Sequence, residues 1–368
     1  MNFGSGRLEA YILTRTLAAV AAALAVISAV IMLIDLVELS RTIGARANVS
    51  FLRLVGMMLL KSPTVILLLM PFVFLFGTLA AYVVLNRRSE LIAMRAAGIS
   101  AWRFILPATA SAFVFGLLSI TVLNPIAANL NARFEENRAQ ILQGVARGAP
   151  RDIWLREGDD RTQIVIHAQR QDLDGSSIRL HGVSVFVYAI SPGGGSTFSR
   201  RIEAAQAVLS PGLWRMSDVR EAAPGAGSIR SETLSLPSTL DRRSALERFT
   251  SPQGVDLWRL PRVISNTERA GFSAIDYRLR LQQLLASPLL FAAMALLAAS
   301  FSLRLARLGG LSGLAILAVA SGFGVFFFTQ ICGALGSAEV IPLWAAAWIP
   351  PTIALLSGLA MLCYTEDG

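Results

Sequence analysis

The sequence predicts an α-helical membrane protein with six transmembrane helices, arranged three plus three around an inserted β domain. Composition is the first ground: hydrophobic residues make up 54% and charged residues only 15%, with a mean hydropathy of +0.58, which places the chain in the membrane class. The second is a set of six apolar runs, residues 17–37, 63–85, 105–123, 281–303, 311–332 and 341–363, each near the ~20 residues that a bilayer core requires. The third is a change of character between the third and fourth runs, where polar–apolar alternation and Pro/Gly clusters replace continuous hydrophobicity. The domains expected are therefore 1–126, 127–277 and 278–368.

The first run, flanked by Arg7 and Arg15, has the outline of a signal peptide, but it exceeds the usual h-region and five more runs follow, so it is read as a retained span. Arginines set the orientation: Arg7 and Arg15 before run one, Arg87, Arg88, Arg95 and Arg103 around the second loop, and Arg304 and Arg307 in the fourth mark cytoplasmic segments. The loop after run five carries Glu339 and no basic residue, which fits the opposite side, whereas Arg41, Arg46 and Arg53 after run one fit less well. Both termini are expected in the cytoplasm and the insert outside.

Within the insert, residues 127–144 read as a helix. Residues 162–168, 183–188, 202–209 and 213–219 read as strands at spacings typical of a sandwich or jellyroll, with turn clusters at 191–195 and 223–227. Residues 255–271 read as a helical return to the membrane, broken at Pro261. Cys332 and Cys363 fall at opposite ends of runs five and six, too far apart to pair, and the insert has no cysteine, so its own core must hold it together.

Several function classes drop out. The net charge of +9 comes mostly from membrane-flanking arginines, so topology explains it better than nucleic acid. His167 and His181 are the only histidines and have no cysteine partner in the insert, which argues against a metal site. No G-x-S-x-G, H-E-x-x-H or paired-carboxylate setting occurs, and Asp159-Asp160 after Gly158 reads as a turn. Without a G-x-x-x-x-G-K-[ST] motif the chain is not a P-loop ATPase, and no cofactor of its own is expected.

Residues 86–100, between runs two and three, read as a short amphipathic helix. Asn86 or Ser89 can cap its start, Glu90 complements the dipole in the first turn, Leu91 and Met94 share one face, and Gly98 suits a left-handed ending. A built helix with an apolar edge, where a few polar residues would turn the chain, points to a docking partner.

Together, Arg88-Ser-Glu-Leu-Ile-Ala-Met94 with Gly98, the Arg138-Ala-Gln140 triplet after span three, the three-plus-three layout, and residues 322–333 running on to Ile341-Pro342 and Pro350-Pro351 resemble the permease subunits LptF and LptG of the lipopolysaccharide-export ABC transporter, more closely LptG. The resemblance covers nearly the whole chain. It implies an inner-membrane subunit with a periplasmic β-jellyroll, paired with a homologous permease LptF above two copies of the ATPase LptB, and working with LptC and the periplasmic bridge. Such an assembly extracts lipopolysaccharide from the outer leaflet, with ATP used by the partner ATPase. The helix at 86–100 is then the coupling helix: Glu90 meets an arginine of the ATPase, Leu91 and Met94 fill its groove, and Arg88 and Gly98 complete the motif.

A lipid with acyl chains and phosphates needs an apolar cavity with cations at its outer rim. Lys61, the only lysine, before Ser62-Pro63, together with Arg133, Arg138 and Arg41, are the substrate-binding candidates, and interfacial anchoring is the alternative for them. LptG proteins often carry lysines along the outer half of span one; here Met32, Glu38 and Leu39 stand there, with Arg41 the nearest cation. Two other readings compete with lipid export: a scaffold whose β domain recruits a partner, and a mechanotransmitting permease that moves no lipid. Both tolerate closely packed helices, whereas a lipid carrier needs a cavity open to the bilayer.

Overall fold

The computed structural model describes residues 5–44, 49–145, 153–158, 162–174, 177–190, 196–210, 212–225, 227–238, 254–269, 273–308 and 311–367. Asp159-Asp160 and the 191–195 cluster lie outside them. The chain forms two compact units, one of Met1–Val145, Gly254–Trp258 and Ile275–Gly368, the other of Ala146–Gln253 and Arg259–Ala274.

The first unit is a helical bundle: α1 (Ser5–Leu39), α2 (Phe51–Arg87), the short α3 (Glu90–Ala96), α4 (Ala101–Leu118), α5 (Asn124–Val145), and, after the insert, α7 (Ile275–Leu308), α8 (Leu311–Ser337) and α9 (Leu343–Asp367). Among the described residues six helices are long and apolar enough to cross a membrane, and each apolar run lies in one of them, save for the first two residues of the last run. The helices outrun the apolar stretches. α2 starts at Phe51 although its run begins at Pro63, because the proline sits inside the helix: the Leu59 carbonyl that it cannot serve accepts the Ser62 hydroxyl at 3.2 Å. The Ser287-Pro288 pair in α7 repeats the device, with Ser287 Oγ donating to the Leu284 carbonyl at 2.8 Å.

A helix at 127–144 is present, but it continues the third span instead of opening the outer domain. A π-helical turn, Ser119–Leu123, joins α4 to α5 and widens the backbone ahead of Pro125. Thr121, four residues before that proline, has its carbonyl taken by the Trp258 indole N–H at 3.2 Å, and Asn124 Oδ1 accepts the Leu257 amide at 3.0 Å. These two bonds fasten residues 254–258 to the bundle.

At the centre of the bundle stands α7, packed on α2, α4, α8 and α9, with Ala293, Ala295, Ala298, Ala299 and Ser300 fully enclosed. Small residues permit the close approach that association in lipid depends on. A Cβ on Gly116 of α4 would stand 2.4 Å from Pro288 Cα of α7, so only glycine fits that crossing.

In the second unit six antiparallel strands, β1 (Ile153–Gly158), β2 (Thr162–Asp174), β3 (Ser177–Ile190), β4 (Ser196–Ser210), β5 (Leu213–Ala222) and β6 (Ile229–Pro237), pair in chain order. The inserted β domain is therefore there. Among the described residues its strands form one meander, without the crossed pairing of a jellyroll. One face buries Ile166, Leu180, Val185, Ile202, Trp214 and Met216 almost completely. A flat sheet cannot do that alone, and a line of irregularities shows how this one bends. Gln169, Gly182, Ala205, Asp218 and Glu232 stand opposite one another across β2–β6; Gly182 and Asp218 have φ of +61° and +51°. Inward residues change parity across that line, from Leu180 to Val183, from Ala204 to Ala207, and from Met216 to Val219. A parity change at one level across β2–β5, with left-handed residues in β3 and β5, marks a crease, a bend in the strands there.

The return segment differs from the expected broken helix. Residues 254–258 belong to the bundle, and the helix α6 (Leu260–Arg269) begins one residue before the proline: Pro261 lies in the first turn, where its missing N–H costs nothing.

Candidate functional site

The short helix α3 is shorter than the 86–100 expected, because Asn86 and Arg87 still belong to α2 and only two residues intervene. Its end follows the sequence closely. Gly98 has φ +77°, its amide donates to the Arg95 carbonyl and the Ile99 amide to the Met94 carbonyl, a Schellman closure with Ile99 packed beside Met94 in the core. The start does not. Ser89 occupies the N-cap position at φ +59°, a left-handed conformation unfavourable for a residue with a Cβ, and its hydroxyl caps nothing. The Ser89 amide donates to the Asn86 carbonyl at 2.9 Å, which closes the tight turn from α2.

Leu91 and Met94 are buried, 1% and 9% exposed, in a cluster with Ile12 of α1, Tyr82 and Leu85 of α2, Phe104 of α4, Leu303 of α7 and Leu362 of α9. Neither is available to fill a partner's groove, contrary to the role the resemblance implied. The apolar edge of α3 is satisfied by this chain's own helices; the outward side carries Arg88, Ile92, Ala93 and Ala96. Polar contacts add to the anchorage. Tyr11 of α1 donates its hydroxyl to Glu90 Oε2 at 2.9 Å, and Arg95 Nη2 donates to the Thr365 carbonyl of α9 at 3.4 Å. Close by, Arg103 Nε meets Glu9 Oε1 at 3.3 Å and the Tyr82 hydroxyl donates to the Phe104 carbonyl at 2.6 Å, tying α1 and α2 to α4. Tyr11 is a contact of Glu90 that the sequence reading missed; an aromatic one helical turn before Arg15 at a helix end was its only signal.

At the other end of the bundle, Lys61 is not a free rim cation. Its Nζ lies 2.9 Å from Asp35 Oδ1, with the two side chains 27% and 11% exposed. Among the described residues Asp35 Oδ2 is buried without a hydrogen-bond partner. An acid inside an apolar run was legible as a functional hint, since a buried charge is costly unless paired, but its partner 26 residues away was not. Arg41 is exposed on the π-helical turn Ser40–Gly44 that follows α1. Arg133 and Arg138 are exposed on α5, Arg138 3.6 Å from Glu135. Leu39, Ile43, Leu54, Met57, Phe134 and Ile141 form one cluster there, so Arg41, Lys61, Arg133 and Arg138 share this end of the bundle. Among the described residues Arg41 and Arg133 stand in no ion pair, Arg138 is beside Glu135, and the lysine is held by an acid.

The exposure of the spans is uneven. The most apolar window of the first span is 6% buried and that of the fifth 22%, against 78% for the fourth, so α1 and α8 present open apolar faces.

Comparison with known proteins agrees with this architecture. The profile of the family "Lipopolysaccharide export system permease LptF/LptG" matches residues 10–364. The lipopolysaccharide export system permease protein LptG of Escherichia coli K12 is 24% identical over 318 residues, 83% of each chain, and LptG of Escherichia coli O6:H1 is similar to the same extent. A bundle of six spanning helices with a β domain between the third and fourth, matched by that profile across almost its full length, identifies this chain as a member of the LptF/LptG family of lipopolysaccharide export permeases.

Proposed function

We propose that the chain is an LptG-type subunit of an ABC transporter in the inner membrane, which takes lipopolysaccharide from the outer leaflet to a periplasmic bridge with energy from a separate ATPase. The reading places LptF beside it, two copies of LptB on the cytoplasmic side, and LptC with the bridge at the β domain. Arg7, Arg15, Arg87, Arg88, Arg95 and Arg103 gather at the α3 end, which the positive-inside tendency puts in the cytoplasm.

One observation carries the mechanism: α3 is anchored through Leu91, Met94, Glu90 and Arg95 to α1, α2, α4, α7 and α9 at once. A displacement of α3 by a moving ATPase surface is therefore transmitted to the bundle and not absorbed in a loop. In this account Leu91 and Met94 are positioning residues, Gly98 closes the helix, and Arg88, Glu90, Ile92 and Ala96 make the contact. One oxygen of Glu90 is held by Tyr11, which fixes the carboxylate while leaving the other to meet a cation.

The apolar faces of α1 and α8 that this chain does not cover itself are available to lipid or to a second permease. At the outer end, Arg41, Arg133 and Arg138 are the cations offered to lipid phosphates, and Lys61 joins them only when it leaves Asp35. The test is Glu90→Lys in the chain co-expressed with its ATPase. Loss of co-purification with the permease pair intact is expected; undiminished co-purification and ATP turnover would refute the coupling role.

A further inference from the structure

Arg280, on α7 immediately before the fourth apolar run, is a cation that neither end of the bundle has yet used. It is half-buried, and among the described residues its Nε is enclosed without a hydrogen-bond partner and no carboxylate stands within ion-pair distance of it. Its neighbours on the helix do not compensate it. Gln282 is taken by the Trp348 indole N–H at 3.0 Å, and Asp276, one turn earlier, is exposed and makes no ion pair with it. An enclosed guanidinium without a counter-charge lowers stability, which points to an anion supplied from outside the chain.

Helix geometry gives the place of the head. Residues 280, 284, 288 and 291 share one face of α7, where Pro288 closes on Gly116 of α4 and Phe291 stacks on Phe74 of α2 with ring centroids 5.6 Å apart. The adjoining row faces α8, with Leu279 against Gly336 and Gln283 against Gly333. Arg280 therefore stands at the seam between α2 and α8. α2 and α7 run in the same direction, Phe74 packing with Phe291 and Leu85 with Leu303, so Arg280, about three turns before Phe291, is level with Pro63, about three turns before Phe74. That is the level of Lys61 and of the start of the second apolar run.

The seam is closed further in and open further out. α2 and α8 touch at Phe72, whose ring lies 5.1 Å from that of Phe323 and 5.3 Å from that of Phe326. One turn outward the same rows carry Leu68 and Phe327, and then Ile331, which are 59%, 60% and 57% exposed, so the two helices part there. Uncovered apolar walls with a guanidinium at their outer limit match an outer-leaflet lipid, its acyl chains between the walls and its phosphate at the interface.

We propose that Arg280 binds a phosphate of the lipopolysaccharide, as a fixed cation on the fourth span that needs no release from an acid. Lys61, by contrast, must first leave Asp35. The planar guanidinium takes two phosphate oxygens at once, and among the described residues no carboxylate competes for it. The inference rests on the reading of the chain as a lipopolysaccharide permease.

The experiment loads the complete complex with lipid A carrying two phosphates, or with either form that carries one, and counts retained lipid by native mass spectrometry. Wild type is expected to retain the two-phosphate lipid, Arg280→Met about tenfold less, and Arg280→Lys an intermediate amount. With the one-phosphate form that lacks the group Arg280 meets, wild type and Arg280→Met should retain equally. Thermal unfolding of the lipid-free complex separates binding from structure: Arg280→Met keeps the stem and removes an uncompensated charge, so its Tm should equal or exceed that of wild type. Equal retention of the two-phosphate lipid by wild type and Arg280→Met overturns the proposal. A deficit of the same size with all three lipids, a lowered Tm, or loss of the second permease from the complex, which would give Arg280 to a partner's carboxylate, also overturns it. Failure of the wild type itself to retain any lipid A would instead refute the lipid-export reading beneath it.

Discussion

Replacing Leu91 with alanine tests whether α3 is anchored inward. Leu91 is 1% exposed among side chains of five other helices, and truncating such a leucine costs about 2–5 kcal/mol when the site collapses only partly. Because α3 is only seven residues long, that cost falls mainly on its local opening. A loss of about 3 kcal/mol lowers hydrogen-exchange protection of its amides roughly a hundredfold, at about 1.4 kcal/mol per factor of ten. Ile92, the next residue, is 51% exposed, and Ile92→Ala should change protection by less than about threefold, the ±0.5 kcal/mol typical of surface sites. The assay is hydrogen exchange of residues 90–98 in the chain alone, in nanodiscs. If Leu91→Ala leaves protection unchanged, or Ile92→Ala lowers it as much, α3 is not anchored by the face described and the transmission argument fails.

At the outer end, Lys61→Met strands the buried Asp35 carboxylate and should destabilise the chain by about 3 kcal/mol, whereas Asp35→Asn costs less because the partly exposed lysine can reach water; thermal unfolding of both single variants and the double variant, with the double recovering stability, checks this. Gly98→Ala should cost about 1–2 kcal/mol from backbone conformation alone, since nothing stands within 4 Å of the added methyl, and Ser89→Gly should stabilise by up to about 1 kcal/mol, with chemical denaturation reading both. In the β domain, Gly182→Ala meets the Gln169 side chain as well as a left-handed φ; adding Gln169→Ala removes the clash and should recover only part of the loss, the crease itself supplying the rest.

What the sequence made legible, and what it did not, follows from range. Apolar runs located every span and Gly98 located the end of α3, because length and a left-handed turn are local properties. The extent of α2 back to Phe51 was hidden, because a helix end that leaves the membrane carries no continuous hydrophobicity, and the helix at 127–144 was found without its continuity with the third span. Four of the six described strands, β2 to β5, were found, but β1, β6 and the crease were not, since the parity change at Gly182 and Asp218 emerges only when neighbouring strands are in register. The same holds for the sites. Leu91 and Met94 announced an apolar face, yet a face does not say whether the covering surface belongs to the same chain. Lys61 read as a cation at a rim, and only the antiparallel packing of α1 on α2 brings Asp35 to it.

The central claim, that an ATPase drives this permease through the outward side of α3, is tested most directly by photo-crosslinking from single positions in the assembled complex. Probes at positions 92 and 96 should capture the ATPase in resting and nucleotide-bound states, and probes at 91 and 94 should capture only this chain's own helices. An ATPase that crosslinks at neither 92 nor 96 in any state would contradict the account.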